Sequence, residues 1–432
     1  TTDYKGVNVG SSIKANNTNY IKAGGNINLV ASELASDNGA VALEATDVNL
    51  LSANDVTGHS EYHKTINYFS LGSIFGSLGS FITGGDLEFG SFKEDTKVSS
   101  EEIAKGSSIR GPTVLIKTTN DLNSVGSNIS GQDVGLDVGR DLNLLSAEQQ
   151  ADYFSDSKEG KLYLNWDLAG ISGVSLKGGL KYTEQKESTK TTTNVGSTIT
   201  ADNLQIKTGR NMTMMGSDIL TNNSDIDVAG NFKALDVQDT VEHNLENLDV
   251  RTGVELRLTS NPLSVVEGIA GLGKTLASGQ MFSGINGAFG SFNDTLTNFG
   301  KINQGYDTGS DGHLNLTDGS FSLNLFMDVN KHTENTNTST SIGSSITANN
   351  ELKLTTGNDL LLYGSNINAG KADINVGNNL DIRSSFDTSK NDSSDVSIGM
   401  TMGLMSSNPG NIGNPSIHGS GTVTSGSSKW VN

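Results

Sequence analysis

The chain has 432 residues, 52 of them glycine and 4 proline, no cysteine, and a formal net charge of −19. Disulfide staples and thiolate chemistry are excluded, and without a Lys/Arg run or basic stripe no nucleic acid is expected as a partner. Hydrophobic residues make up 34%, too lean for a globular core of this length but suited to a narrow stacked one.

Residues 1–20 show no charged start followed by an apolar run, and no stretch approaches twenty apolar residues. Neither a signal peptide nor a transmembrane helix is predicted. The chain enters and leaves in mid-pattern, so it is expected to be part of a longer one. The pattern is a turn-and-strand unit, "IKAGGNINLVAS" then "ALEATDVNLLSA", and it recurs eight times, 20 or 21 residues apart within each pair. An Asn or Asp stands at Asn26, Asp47, Asp121, Asp141, Asn211, Asn231, Asp359 and Asn379. We read this as a turn column of residues that tolerate left-handed backbone and bond their own main chain, with Gly two positions earlier at Gly24, Gly139, Gly209, Gly357 and Gly377.

The residue after the turn is always apolar: Ile27, Val48, Leu122, Leu142, Met212, Phe232, Leu360 and Leu380. Two residues on, Leu29, Leu50, Leu144, Met214, Leu362 and Ile382 face the same side of a strand. One such unit cannot bury its apolar face alone, whereas stacked copies can. Disorder, the competing reading of a Gly-, Asn- and Ser-rich acidic chain, has no reason to hold register. The predicted fold is therefore all-β: a right-handed parallel β-helix whose ladder is the column from Ile27 to Leu380, with interposed amphipathic β-hairpins.

The repeats fall into modules at 1–56, 106–150, 196–240 and 343–389. Each opens on a Gly-Ser element at Gly10, Gly106, Gly196 or Gly343, echoed about 20 residues later at Ala31, Gly126, Gly216 or Gly364. Insertions at 57–105, 151–195, 241–342 and 390–432 break the period and are too long for ordinary turns. A polar arm leaves, a Gly-rich apolar centre follows, and in the three complete cases a polar arm returns. Period-two runs mark one-face-apolar strands: Leu162, Leu164, Trp166 and Leu168; Val254, Leu256 and Leu258; Phe321, Leu323, Leu325 and Met327; Val396, Ile398, Met400, Met402 and Leu404. Two centres, around Phe75 (Leu71 to Ile82) and Leu272 (Leu263 to Leu276), have apolar spacings of three and four that suit short amphipathic helices.

Two strings invite chemistry. Gly268 to Thr275, "GIAGLGKT", fits the phosphate-cradling loop pattern, yet no strand–helix series surrounds it and Lys274 is expected to do no phosphate chemistry. His59 and His63 flank Glu61 in a polar arm with no third ligand, so solvated histidines are expected. The calcium-binding nonapeptide spacing is absent. No nucleophile–base constellation is found, and no enzyme, metal or cofactor is predicted.

The "GS-x-I-x-A" elements, the Asn/Asp–apolar column and the "T-x-T-x-x-G-S-x-I" arms resemble filamentous-haemagglutinin repeats of two-partner-secretion exoproteins. They are most similar to the second repeat region of contact-dependent growth-inhibition toxins, and the likeness covers nearly the whole chain. The resemblance implies secretion through an outer-membrane transporter of a Gram-negative bacterium and display at the cell surface. It further implies engagement of a target-cell outer membrane or surface receptor during passage of a C-terminal toxin. The secretion domain and toxin domain of that family have no counterpart here. Two readings stay open: a delivery segment whose hairpins at Leu162, Leu164, Trp166, Leu168, Phe321, Leu323, Leu325 and Met327, with the centres at Phe75 and Leu272, contact membrane or a membrane-embedded partner; or an adhesin stalk whose hairpins brace the rod or touch a host receptor.

Overall fold

The computed structural model describes residues 1–67, 85–168, 174–258, 321–406 and 416–431. Among them there is no helix, and the strands form three sheets. The two centres around Phe75 and Leu272, and the glycine-rich string 268–275, lie outside the described residues.

Two of the sheets are parallel, and in both the neighbour of a strand is the equivalent strand one repeat away. The shorter sheet has eight four-residue strands in strict sequence order, from Ile27–Val30 to Leu380–Arg383. Its register places Ile27 beside Val48, Val48 beside Leu122, and so on through Leu142, Met212, Phe232 and Leu360 to Leu380. All but Leu380 are buried. Leu380 is 55% exposed, on the last strand of this sheet among the described residues. The longer, 11-stranded sheet supplies Ile109, Ile129, Ile199, Ile219 and Ile346 to the same hydrophobic core. Burying each such side chain contributes about 1.5–3 kcal/mol, so the core is built by repetition rather than by bulk.

The Asn/Asp column has a different cause from the one its composition suggests. Among the described residues, positive φ occurs only at Ala31, Gly126, Gly216 and Gly364, so none of the column residues is left-handed. Six of the eight, from Asp47 to Asp359, instead offer a side-chain oxygen to the main chain of the next repeat. The backbone N–H of Asp121 donates to Asp47 Oδ1, that of Asp141 to Asp121, Asn211 to Asp141, Asn231 to Asn211, Asp359 to Asn231 and Asn379 to Asp359, at 3.0–3.2 Å. The column requires an acceptor, which Asn and Asp share. Glycine before it answers to close approach: a Cβ on Gly209 would lie 2.1 Å from the Gly139 carbonyl oxygen.

A second column, of serines, runs along the opposite corner. The backbone N–H of Ser32 donates to Ser107 Oγ, Ser107 to Ser127, Ser127 to Ser197, Ser197 to Ser217, Ser217 to Ser344 and Ser344 to Ser365. Each hydroxyl in turn donates to the carbonyl that ends a strand of the shorter sheet. Ser127 reaches Val125 two residues back, whereas Ser107 reaches Leu51, Ser197 reaches Leu145 and Ser344 reaches Leu235 across an entire insertion, all three at 2.8 Å. The corner bond is the same whether two residues or a hundred intervene. This is why long insertions interrupt the repeat without disturbing its register.

The third sheet is the principal departure from expectation. Rather than separate hairpins lying along the rod, the insertion arms pair with one another and, at one edge, with Thr2–Gly6 in a single nine-stranded antiparallel sheet. Ala53–Asn67 pairs with Gly85–Lys105, Ala147–Leu168 with Val174–Val195, Val237–Leu258 with Phe321–Ile342, and Thr388–Ser406 with Ser416–Val431. Between these pairs, the returning strand of one insertion takes the outgoing strand of the next as neighbour. Since consecutive repeats are stacked one strand apart, their arms leave the same corner side by side, and their exposed edges satisfy each other.

Candidate functional site

The antiparallel sheet gathers the period-two residues of four distant segments into cross-strand rows, and directly opposite residues share a face. One row runs Leu162, Leu180, Thr252, Met327, Met400. The next runs Leu164, Gly178, Val254, Leu325, Met402. Beyond them the register continues Trp166, Leu176, Leu256, Leu323, and then Leu168, Val174, Leu258, Phe321. All eight hairpin positions that the alternation singles out thus meet within four adjacent rows. Phe75 and Leu272 lie outside the described residues.

Coverage of this face is uneven. Leu162, Leu164 and Leu323 are buried, at 4%, 6% and 6% exposure, while Leu325 and Met327 are half-buried. Toward the edge of the sheet Met400 and Met402 stand 54% and 60% exposed.

The opposite face has another character. Lys161, Lys181, Arg251 and Asp328 form one row there, and Asn165, Lys177, Glu255 and Asn324 another. Between them Gly179 and Gly253 leave room for the Phe326 ring, over whose centroid Lys177 Nζ sits at 4.2 Å. A Cβ on Gly253 would come within 2.9 Å of that ring, so glycine here is a requirement of packing.

Nearer the parallel sheets the first face becomes charged. Lys158 bonds Asp156 at 2.9 Å and lies 3.8 Å from Glu184, which is paired with Lys186 at 2.8 Å. The hydrogen bond from Lys186 holds the Glu184 carboxyl below its ordinary range, and the bond to Asp156 raises the Lys158 ammonium. Glu184, Lys158 and Lys186 are each shifted toward their charged forms, so this belt keeps its charge. The period-two reading located the apolar rows but missed the belt. Its signal was available in the alternation of Lys and Glu between arms.

His59 and His63 are exposed strand residues. His59 Nδ1 lies 2.6 Å from Asp3 and His63 pairs with Glu61. Among the described residues no group of three His, Cys, Asp or Glu side chains is placed to hold a metal, and no helix is long and apolar enough to cross a membrane.

The repeats are those of a known class. The hemagglutinin repeat model matches residues 2–162, 145–250 and 300–427, and the chain belongs to this family. Its members are secreted and displayed on the bacterial cell surface, which is where this chain acts, and the repeat region is structural. The chain is also similar to the "tRNA nuclease CdiA-2" of Burkholderia pseudomallei (strain 1026b), at 23% identity over 407 residues. That alignment covers 88% of this chain and 12% of the relative. No solved structure matches.

Proposed function

We propose that the chain is the rod-and-delivery segment of a contact-dependent growth-inhibition exoprotein, exported through an outer-membrane transporter. In this reading it engages the outer membrane of a neighbouring bacterium during passage of a toxin carried elsewhere in the protein. The two parallel sheets are faces of one right-handed parallel β-helix, since both run in sequence order and share a single core. Segments 1–56, 106–150, 196–240 and 343–389 are its modules, and 57–105, 151–195, 241–342 and 390–432 the insertions. The observation that carries the delivery reading is the antiparallel sheet itself. A passive stalk needs no continuous nine-stranded sheet with one apolar and one charged face, whereas strands that line a membrane alternate in this way.

An adhesin stalk is the second reading. It is favoured by the burial of Leu162, Leu164 and Leu323, which satisfies these side chains without a membrane. The double variant Leu164→Asp/Leu325→Asp separates the two. Association with outer-membrane vesicles and entry into target cells, both normalised to folded protein, are measured beside thermal melting. Delivery predicts at least a tenfold loss of association per folded molecule, from a cost on the order of 2 kcal/mol for charge placed within the bilayer. Lowered melting with unchanged association per folded molecule makes these residues internal braces and the chain a stalk.

A further inference from the structure

We propose that the antiparallel sheet carries a built-in stop for membrane insertion. The stop lies between the row of Lys158 and the row of Gly160, and beyond it one face meets hydrocarbon while the other remains hydrated. This rests on the delivery reading and adds to it a depth and a sidedness.

The stop is visible as an abrupt change between two neighbouring rows of one face. The inner row is Lys64, Glu94, Lys158, Glu184, Leu248, Lys331 and Val396, which is charged on five of seven strands. Lys64 reaches Glu94 at 3.6 Å, and Lys331 reaches Glu246 at 2.9 Å. The next row on that face is Phe92, Gly160, Tyr182, Val250, Val329 and Ile398, without a charge. From there to the ends of the described strands, no Asp, Glu, Lys or Arg occupies this register on any of the four strands Ala147–Leu168, Val174–Val195, Val237–Leu258 and Phe321–Ile342. The adjacent positions of the same strands hold Lys161, Lys181, Arg251, Asp328, Lys177 and Glu255 on the other face.

The uncharged register is long enough for a bilayer. On the strand Ala147–Leu168 it covers nine described residues, 160 to 168, and a tilted strand needs about 9–11 to span the hydrocarbon. Aromatic rings mark the boundary: Phe92 and Tyr182 lie with centroids 6.4 Å apart in the first uncharged row. Rings with one polar end settle at the level of lipid headgroups. In the structure the apolar face is open to solvent at Met400 and Met402, which makes these the residues that meet lipid first.

The absence of native cysteine allows a depth measurement on the full chain. Single variants Val396→Cys, Met402→Cys and Thr401→Cys carry a polarity-sensitive fluorophore and are mixed with vesicles of phosphatidylethanolamine and phosphatidylglycerol. The register puts Val396 beside Lys331 on the charged row, Met402 beside Leu325 beyond the stop, and Thr401 beside Phe326 on the hydrated face. The expected result is a blue shift and protection from an aqueous quencher at Met402→Cys alone. In parallel, Met402→Arg should weaken association by on the order of 30-fold or more and Val396→Arg by less than twofold. Association with protection at Val396→Cys or Thr401→Cys, or equal losses in the two Arg variants, overturns the stop and leaves membrane engagement standing. No association of the unlabelled parent chain overturns engagement itself, and the stop with it.

Discussion

The parallel and the antiparallel sheets solve the same problem of repeated strands by opposite means. In the parallel pair every strand meets its own equivalent, so one residue type repeated at one position satisfies the whole column. Phe232 between Met212 and Leu360 differs from its neighbours only in size. In the antiparallel sheet every strand meets a partner of the opposite sense, and complementarity arises between unlike residues: Leu164 over Gly178, Phe326 beside Gly253, Lys158 against Glu184. The first arrangement is locked by side-chain acceptors that bind main-chain N–H groups and by a shared core, the second by side-chain pairs that lie largely outside that core.

The largest test of this contrast is a charge in the stack against a charge in the arms. Leu142 is fully buried between Leu122 and Met212, with no polar partner for a carboxylate. Leu142→Asp should lower stability by on the order of 4 kcal/mol or more, read as a loss of cooperative melting. Normal melting of that variant would mean that the stack is not the stabilising unit. The arm variant Leu164→Asp/Leu325→Asp, by comparison, should leave the melting of the stack largely in place.

A middle-sized effect concerns the acceptor column. Asp141 Oδ1 accepts from the backbone N–H and the side-chain amide of Asn211, at 3.1 and 3.0 Å. Asp141→Asn keeps an acceptor and should be tolerated within about 0.5 kcal/mol, while Asp141→Ala should lose about 1–2 kcal/mol. Asp141→Gly is the discriminating variant, because it would be harmless if the position served a left-handed turn. Equal stability of the Gly and Asn variants, measured by chemical denaturation, would restore the turn explanation.

These cases show what a single sequence exposes. Register along the stack is legible because it repeats: the column from Ile27 to Leu360 can be aligned by eye, and the structure brings its members side by side. The serine column was equally present in the Gly-Ser elements, yet its role was hidden, because a hydroxyl that reaches from Ser344 to Leu235 depends on a closure the sequence does not announce. Pairing between insertions was hidden for a related reason. Period-two alternation says which residues share a face, but it names no partner, and a strand that pairs within its own hairpin looks the same as one that also pairs with the next. Of the candidate site, the apolar rows were therefore readable and their assembly into one sheet was not.

The smallest effect separates the two kinds of Gly-Ser corner. At Gly126, Gly216 and Gly364 the backbone is left-handed, with φ of 55°, 54° and 57°, and a Cβ on Gly126 would meet the Ala147 side chain at 2.6 Å. The first member of this column is Ala31, which adopts φ 47° with its methyl group in place. An L residue there costs roughly 1–2 kcal/mol, part of which glycine would return by making the unfolded chain more flexible. Ala31→Gly should therefore stabilise the chain by about 0.5–1 kcal/mol, an upward shift in melting temperature with no change in the arms. A decrease instead would mean that the Ala31 methyl, buried at this corner, contributes more through packing than it costs in backbone strain. The corner would then belong with the side-chain logic of the arms rather than with the main-chain logic of the stack.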